Sequence, residues 1–142
     1  MSIIPRMHTA EHILSAVMRT FYDCHRNLEF HLGEKKTKCD YEVARPLSEA
    51  DFKQIEMLVN GEIAKNYPVT SFFLTREQAS DYDLWKVPPD AAEISIYKIG
   101  DFDEQPCGGP HVANTAEIGV FRILSYELRE NGRVRIRFRV IP

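Results

Sequence analysis

Four side chains in two short segments carry the chemistry available to this 142-residue chain. His8-Thr-Ala-Glu-His12 places two imidazoles at i and i+4, about 6 Å apart along a helix, where both can reach one ion. Cys107-Gly-Gly-Pro-His111 adds a thiol and a third imidazole from a loop whose glycines let both side chains turn the same way. Either segment alone is a weak signal, since helical His pairs are as often solvated or structural and a Cys in a glycine turn is often a buried thiol. Together they form a set of three His and one Cys, which suits Zn2+ in tetrahedral geometry. Four protein ligands close an ion to solvent, so a catalytic reading requires one loose ligand or a fifth position.

Three further groups are weaker candidates. His31 lies between Phe30 and Leu32 on an expected strand and faces opposite to both. It is a candidate general base or substrate contact in the same cleft, against the blander reading of a hydrogen-bonded structural His. Arg133, Arg135, Arg137 and Arg139 alternate with Val134, Ile136, Phe138 and Val140, which puts four guanidiniums on one face of a strand. Such a face is usually just solvated, but in a net acidic chain it is also a candidate phosphate contact, with Lys35, Lys36 and Lys38 as a second one. Cys39 reads as core filler, and Cys24 and His25 carry no readable role.

The elements that must position these groups follow from periodicity. Thr9 to Tyr22 reads as a helix whose Ala10, Ile13, Leu14, Val17, Met18 and Phe21 form one apolar stripe. His8 and His12 fall on nearly the opposite side of that wheel, away from the core. Asn27 to Glu42 reads as two short strands turning near Gly33. Ser48 with Asp51 at capping-box spacing starts a second helix with Phe52, Ile55, Val59 and Ile63 inside, ended by Pro68. VTSFFL reads as a strand, then Thr75 with Gln78 starts a short helix through Tyr82, and Pro88-Pro89-Asp90 makes a turn. Ile94, Ile96 and Ile99 belong to a strand. The stretch GDFDEQPCGGPHV is irregular, so Cys107 and His111 sit on a loop. Two last strands, about Gly119 to Leu128 and Arg133 to Ile141, are joined at Asn131-Gly132. The expected fold is α+β, a largely antiparallel sheet packed against helices, in a single domain spanning 1–142.

Composition narrows the function classes. With 18 Lys plus Arg against 21 Asp plus Glu, the net charge of −3 argues against coating nucleic acid or an anionic membrane by bulk charge, although a local basic face is open to the chain. No apolar run approaches the ~18 residues of a membrane span, and MSIIPRMHTAEH has no signal-peptide pattern. A cytoplasmic protein is expected. Three cysteines, an odd count in a chain of this size, argue against a disulfide scaffold. No oligomeric state follows from these patterns.

The segments HTAEHIL, FHLGEKKTKCDYE, QIEMLVNGEIAKNYPV and CGGPHVANTAEIGVFRILSYE resemble, in order over nearly the whole chain, the editing domain of alanyl-tRNA synthetase in its free-standing form, the AlaX proteins. The domain is shared with the second domain of threonyl-tRNA synthetase. The resemblance implies a synthetase editing-type fold and a hydrolase that deacylates wrongly charged tRNA at its acceptor end, with zinc held by His8, His12, Cys107 and His111. The expected substrates are Ser-tRNA(Ala) and also Gly-tRNA(Ala). A start almost at the first His looks like the short form of the family. Pro110 stands where the alanyl branch usually has Thr and the threonyl branch often has Pro. Glu11 and Ala116 replace a commoner small or hydroxyl residue and a commoner Gly. The rival readings are a threonyl-type editor of Ser-tRNA(Thr) and a zinc module that binds RNA without catalysis.

Overall fold

The computed structural model describes residues 2–24 and 27–142, so His25 lies outside the described residues. In chain order the elements are α1 (Ile4–Phe21), β1 (Asn27–His31), β2 (Thr37–Glu42), α2 (Glu49–Ala64), β3 (Val69–Thr75), β4 (Glu93–Ile99), β5 (Asp103–Pro106), β6 (Val120–Leu128) and β7 (Arg133–Ile141). All strand pairings are antiparallel, in one sheet of order β1-β2-β7-β6 and a second of order β3-β4-β5. The α+β expectation holds, with two sheets where one was expected. No helix among the described residues is long and apolar enough to cross a membrane.

The main core lies between the helices and one face of the four-stranded sheet. Val134, Ile136, Phe138 and Val140 of β7 are buried on that face, and the register sets Thr37, Cys39 and Tyr41 of β2 opposite Phe138, Ile136 and Val134. Their alternation with charged neighbours is what a strand with one wet face requires. α2 closes this face with Phe52, Ile55, Val59 and Ile63, its four buried residues, and starts on the expected capping box, in which the Ser48 side chain and Asp51 bond reciprocally. The Asn60 carboxamide donates to the Phe121 carbonyl at 2.9 Å and accepts from the Phe121 N–H at 2.8 Å, while Glu56 accepts from the Ile123 N–H at 3.0 Å. Helix side chains thereby satisfy backbone groups along the outer edge of β6 that would otherwise invite another strand.

α1 differs from expectation at its start, on its outer face and at its end, where Phe21, read into the apolar stripe, is 51% exposed. It begins at Ile4, five residues before Thr9, because Pro5 in the first turn lacks only an N–H that a helix start leaves unbonded anyway. It is also buried all round from Met7 to Met18, since it runs through the middle of the molecule: one side faces the core and the other faces β5 and the loop after it.

Two local readings are corrected. The Thr75–Gln78 capping bonds form reciprocally, at 2.9 and 3.1 Å, yet residues 76–81 are turns and no helix follows. A few residues are too short to repay helix nucleation, and Ala79, Tyr82, Leu84 and Val87 instead pack with Ile94 and Ile96 in a second small core. The stretch read as irregular contains β5. Pro106 is tolerated there because β5 is an edge strand and Pro106 is its last residue. The final hairpin turns where expected, Asn131 and Gly132 both having positive φ (61° and 73°).

Candidate metal centre

His8 and His12 lie one turn apart on α1, and β5 delivers Cys107 and His111 on the loop that leaves it. One potential ligand atom from each of the four residues lies within 4.8 Å of the others. Cys107 Sγ is 3.2 Å from His8 Nε2 and 3.4 Å from His111 Nε2. The loop needs glycine at one of its two positions. Gly109 has φ +74° and a Cβ there would strike the Tyr97 hydroxyl, whereas at Gly108 a Cβ would meet open space.

The outward nitrogens set how the rings face. His8 Nδ1 lies 3.1 Å from the Pro110 carbonyl, an acceptor only, so it carries the proton. Thr9 Oγ1 donates to the Pro5 carbonyl at 2.9 Å, so it accepts from His111 Nδ1, 2.9 Å away. His12 Nδ1 faces Asp103 Oδ2 at 3.8 Å. All three rings therefore turn Nε2 inward, with a carbonyl, a hydroxyl and a carboxylate behind them, the usual backing of metal-ligating imidazoles. Asp103 is itself held by Arg19 at 2.6 Å through Oδ1, while its buried Oδ2 has no hydrogen-bond partner among the described residues. A carboxylate left one bond short beside His12 is what a positively charged centre in front of that ring would reward.

Without a metal the cluster holds a Cys107 thiolate against a His12 cation, and a divalent ion would displace the His12 proton on binding. Burial works against the His12 cation, but Asp103 and Cys107 outweigh it and lift the ring to about 10. Burial pushes His111 down to about 4. Burial also opposes the Cys107 thiolate, yet the three surrounding imidazoles, His111 foremost, hold it down to about 3. A thiolate and three imidazole nitrogens facing one point fit a borderline divalent ion such as zinc.

A cleft of about 690 Å³ opens beside this cluster. His8, His12 and Cys107 are in its wall, while His111 sits behind them, its ring 4.2 Å from His8 and 4.4 Å from Tyr97. The expectation that the helical pair points away from the core stripe is met, but that side is not solvated. His8 and His12 are only 6% and 8% exposed because β5 and the Cys107 loop cover them.

His31 is not among the residues lining this cleft. Phe30, whose ring lies 6.0 Å from His8 and nearly parallel to it, lines the cleft, and His31 on the alternate face lies beside Lys38 and Lys86 in a shallower depression. The arginines of β7 do share an outer face, but their cross-strand neighbours change its character. Asp40 clamps Arg135 through two bonds of 2.7 and 2.9 Å, and Glu127 holds Arg137 at 2.7 Å. Arg133 and Arg139 are exposed, as are Lys35 and Lys36 in the hairpin turn. Arg122 on β6 stands directly opposite Arg139, a pairing of like charges that strand periodicity does not reveal. This face is on the opposite side of the sheet from the helices and the cleft.

Thr9, Glu11, Ser15, Arg19 and Asp103 are site residues that the motifs do not announce. One signal was present: His8, His12, Ser15 and Arg19 fall at i, i+4, i+7 and i+11, a polar stripe opposite the apolar one. Asp103 had none, because its value depends on the β5 partner it meets. Asp103→Asn keeps the shape of the side chain and removes its charge behind His12. It is expected to weaken zinc affinity about 10- to 100-fold, as measured by competition with a chromophoric chelator, with the far-UV circular dichroism retained.

Comparison with known proteins bears on the same residues. Residues 94–137 match a family described as the threonyl and alanyl tRNA synthetase second additional domain. The chain is 33% identical over 132 residues to the alanine–tRNA ligase of Petrotoga mobilis, covering 91% of this chain and 15% of the ligase. It is 32% identical over 133 residues to that of Treponema denticola, covering 92% and 22%. It thus spans less than a quarter of the length of these relatives. The resemblance to alanyl-tRNA synthetase read from the motifs holds over more than nine-tenths of the chain, consistent with an AlaX-like editing domain.

Proposed function

We propose that the chain is a zinc-dependent aminoacyl-tRNA deacylase that hydrolyses the ester of mischarged tRNA(Ala), mainly Ser-tRNA(Ala) and also Gly-tRNA(Ala), in the cytoplasm where translation occurs. The observation that carries this reading is the cleft of about 690 Å³ in whose wall three of the four donors stand. A purely structural zinc module has no use for a cavity beside its ligands. When bound, the ion would polarise the ester carbonyl and lower the pKa of a water. The chain's own residues do the rest. Pro110, Thr9 and Asp103 fix the rings, and Arg19 fixes Asp103. Glu11, buried in the cleft wall with Oε2 3.7 Å from His12 Nε2 and Oε1 accepting from Ser15, is placed to take a proton from an attacking water.

Such an enzyme has a reason to exist. A small synthetic pocket rejects an added hydroxyl by only about 10²-fold, so serine taken for alanine needs a second, hydrolytic sieve. The threonyl-type rival rests on Pro110, but the site uses only the carbonyl of that residue, which Thr would also present. Deacylation assays on Ser-tRNA(Ala), Gly-tRNA(Ala) and Ser-tRNA(Thr) decide between the branches. Hydrolysis of none of the three by zinc-loaded protein would leave the non-catalytic module.

The tRNA contacts proposed from the sequence narrow to the cations that carboxylates leave uncovered. Arg122→Ala with Arg139→Ala is expected to weaken tRNA binding and to lower its salt slope by about two, roughly one for each phosphate no longer gripped, without altering which amino acid is removed. Arg135→Ala is expected to leave that slope unaltered, because Asp40 already neutralises it. An unchanged slope in the double variant would return this face to a solvated surface and leave Lys35 and Lys36 as the next candidates.

A further inference from the structure

We propose that Trp85, with Lys86 beside it, is the platform that receives the terminal base and phosphate of a single-stranded RNA end at the cleft. The proposal rests on the reading of the cleft as an aminoacyl-ester site, and it names how the rest of the substrate is held. An aminoacyl ester is joined to the ribose of the last nucleoside, so an ester that reaches His8, His12 and Cys107 brings a purine ring to the rim of the same cleft. A base there needs a flat apolar face, and its phosphate needs a cation.

The walls offer both together around Lys86. Glu11, Asp81, Asp83, Glu93, Asp103 and Glu104 make much of the lining acidic, hospitable to an ammonium group and hostile to phosphate. Of the Lys and Arg side chains in the wall, Arg19 is taken up by Asp103. Lys86 Nζ lies 5.2 Å from the Trp85 ring centroid and 5.0 Å from that of Phe30. Trp85 lines the cleft and is still 46% exposed, so its indole reaches the rim. The turn that carries both residues is closed by a bond from the Val87 N–H to the Leu84 carbonyl at 2.9 Å, and Leu84 and Val87 pack on the second core. A large aromatic surface held on an anchored turn has little conformational entropy to lose on stacking.

Trp85 is the only tryptophan in the chain, so intrinsic tryptophan fluorescence reports this position alone. Titration of wild-type protein with the trinucleotide CCA, carrying no amino acid, is expected to give saturable quenching that a CC dinucleotide followed by an abasic ribose does not reproduce. In steady-state deacylation of Ser-tRNA(Ala), Trp85→Ala is expected to raise KM about tenfold or more, with the effect on KM exceeding that on kcat, and Trp85→Phe to recover most of it. No saturable quenching, equal quenching by the abasic ligand, or an unmoved KM in Trp85→Ala would each overturn the platform. Quenching by CCA in a protein that deacylates nothing would refute the ester-hydrolase reading while the base site stands. Deacylation without quenching would do the reverse.

Discussion

Cys107→Ala is expected to lose at least about a thousandfold of kcat/KM towards Ser-tRNA(Ala), and His12→Ala to match it. Removing a group that merely backs a ligating ring costs about 10- to 100-fold, and these side chains are the proposed donors themselves, so the loss must exceed that range. Cys107 contributes the only negative donor of the set, with its sulfur at 3.2 and 3.4 Å from two of the three imidazoles. Without it, three neutral rings would have to hold a divalent ion in a wall that also confines its water. Metal analysis should read about one zinc per chain in the wild type and well below that in either variant. The fold should survive, because Cys107 lies on a loop and His12 turns away from the apolar stripe of α1. The far-UV spectra of metal-free wild type and variants should superimpose. Full activity of either variant in chelator-treated buffer would end the zinc mechanism.

Phe121→Ala is expected to cost about 3–5 kcal/mol of stability. Its ring is fully buried and packs at 4.9 Å from Phe138, at the seam between β6, β7 and α2. The Asn60 clamp holds the Phe121 backbone in place on both its N–H and its carbonyl, so the cavity cannot close by letting the strand slide. Against a total of roughly 5–15 kcal/mol for a domain of this size, that is about a fifth or more. Urea denaturation of metal-free protein should show the midpoint falling with little change in slope. No donor touches Phe121, so the folded fraction should still take up one zinc per chain. A loss under about 1 kcal/mol would mean that the core tolerates the gap by rearrangement.

The two results test separate layers of the molecule, and those layers differ in how visible they were before the fold was known. The donor set was visible because two of its pairs are local: four residues along a helix and four along a glycine loop each present their side chains together whatever the rest of the chain does. The buried faces of α2 and β7, the Ser48 capping box and the turn at Asn131-Gly132 were visible for the same reason, being consequences of 3.6-residue and 2-residue periods and of positive φ. What failed also failed locally. The Thr75 capping bonds formed without a helix behind them, since a cap favours a helix only if enough residues follow to propagate it.

What a single chain reading could not supply were the partners brought in by distant segments. The pattern of β7 announced four arginines on one face, but only the register with β2 and β6 sets Asp40 and Glu127 beside two of them and Arg122 opposite a third. His31 was rightly assigned to the face opposite Phe30, yet which face meets the cleft depends on where α1 lies over the sheet. Asp103 becomes the backing of His12 only because β5 pairs with β4 and passes α1 at that turn. Sequence alone determined most of the elements, most of the core stripes and the four candidate donors, because each depends on neighbours within a few residues. The tertiary structure decided which charges are neutralised, which ring lines the cleft and where the site opens, because those depend on contacts between residues some ninety positions apart, such as His12 with Asp103 and Asp40 with Arg135, which local spacing does not encode.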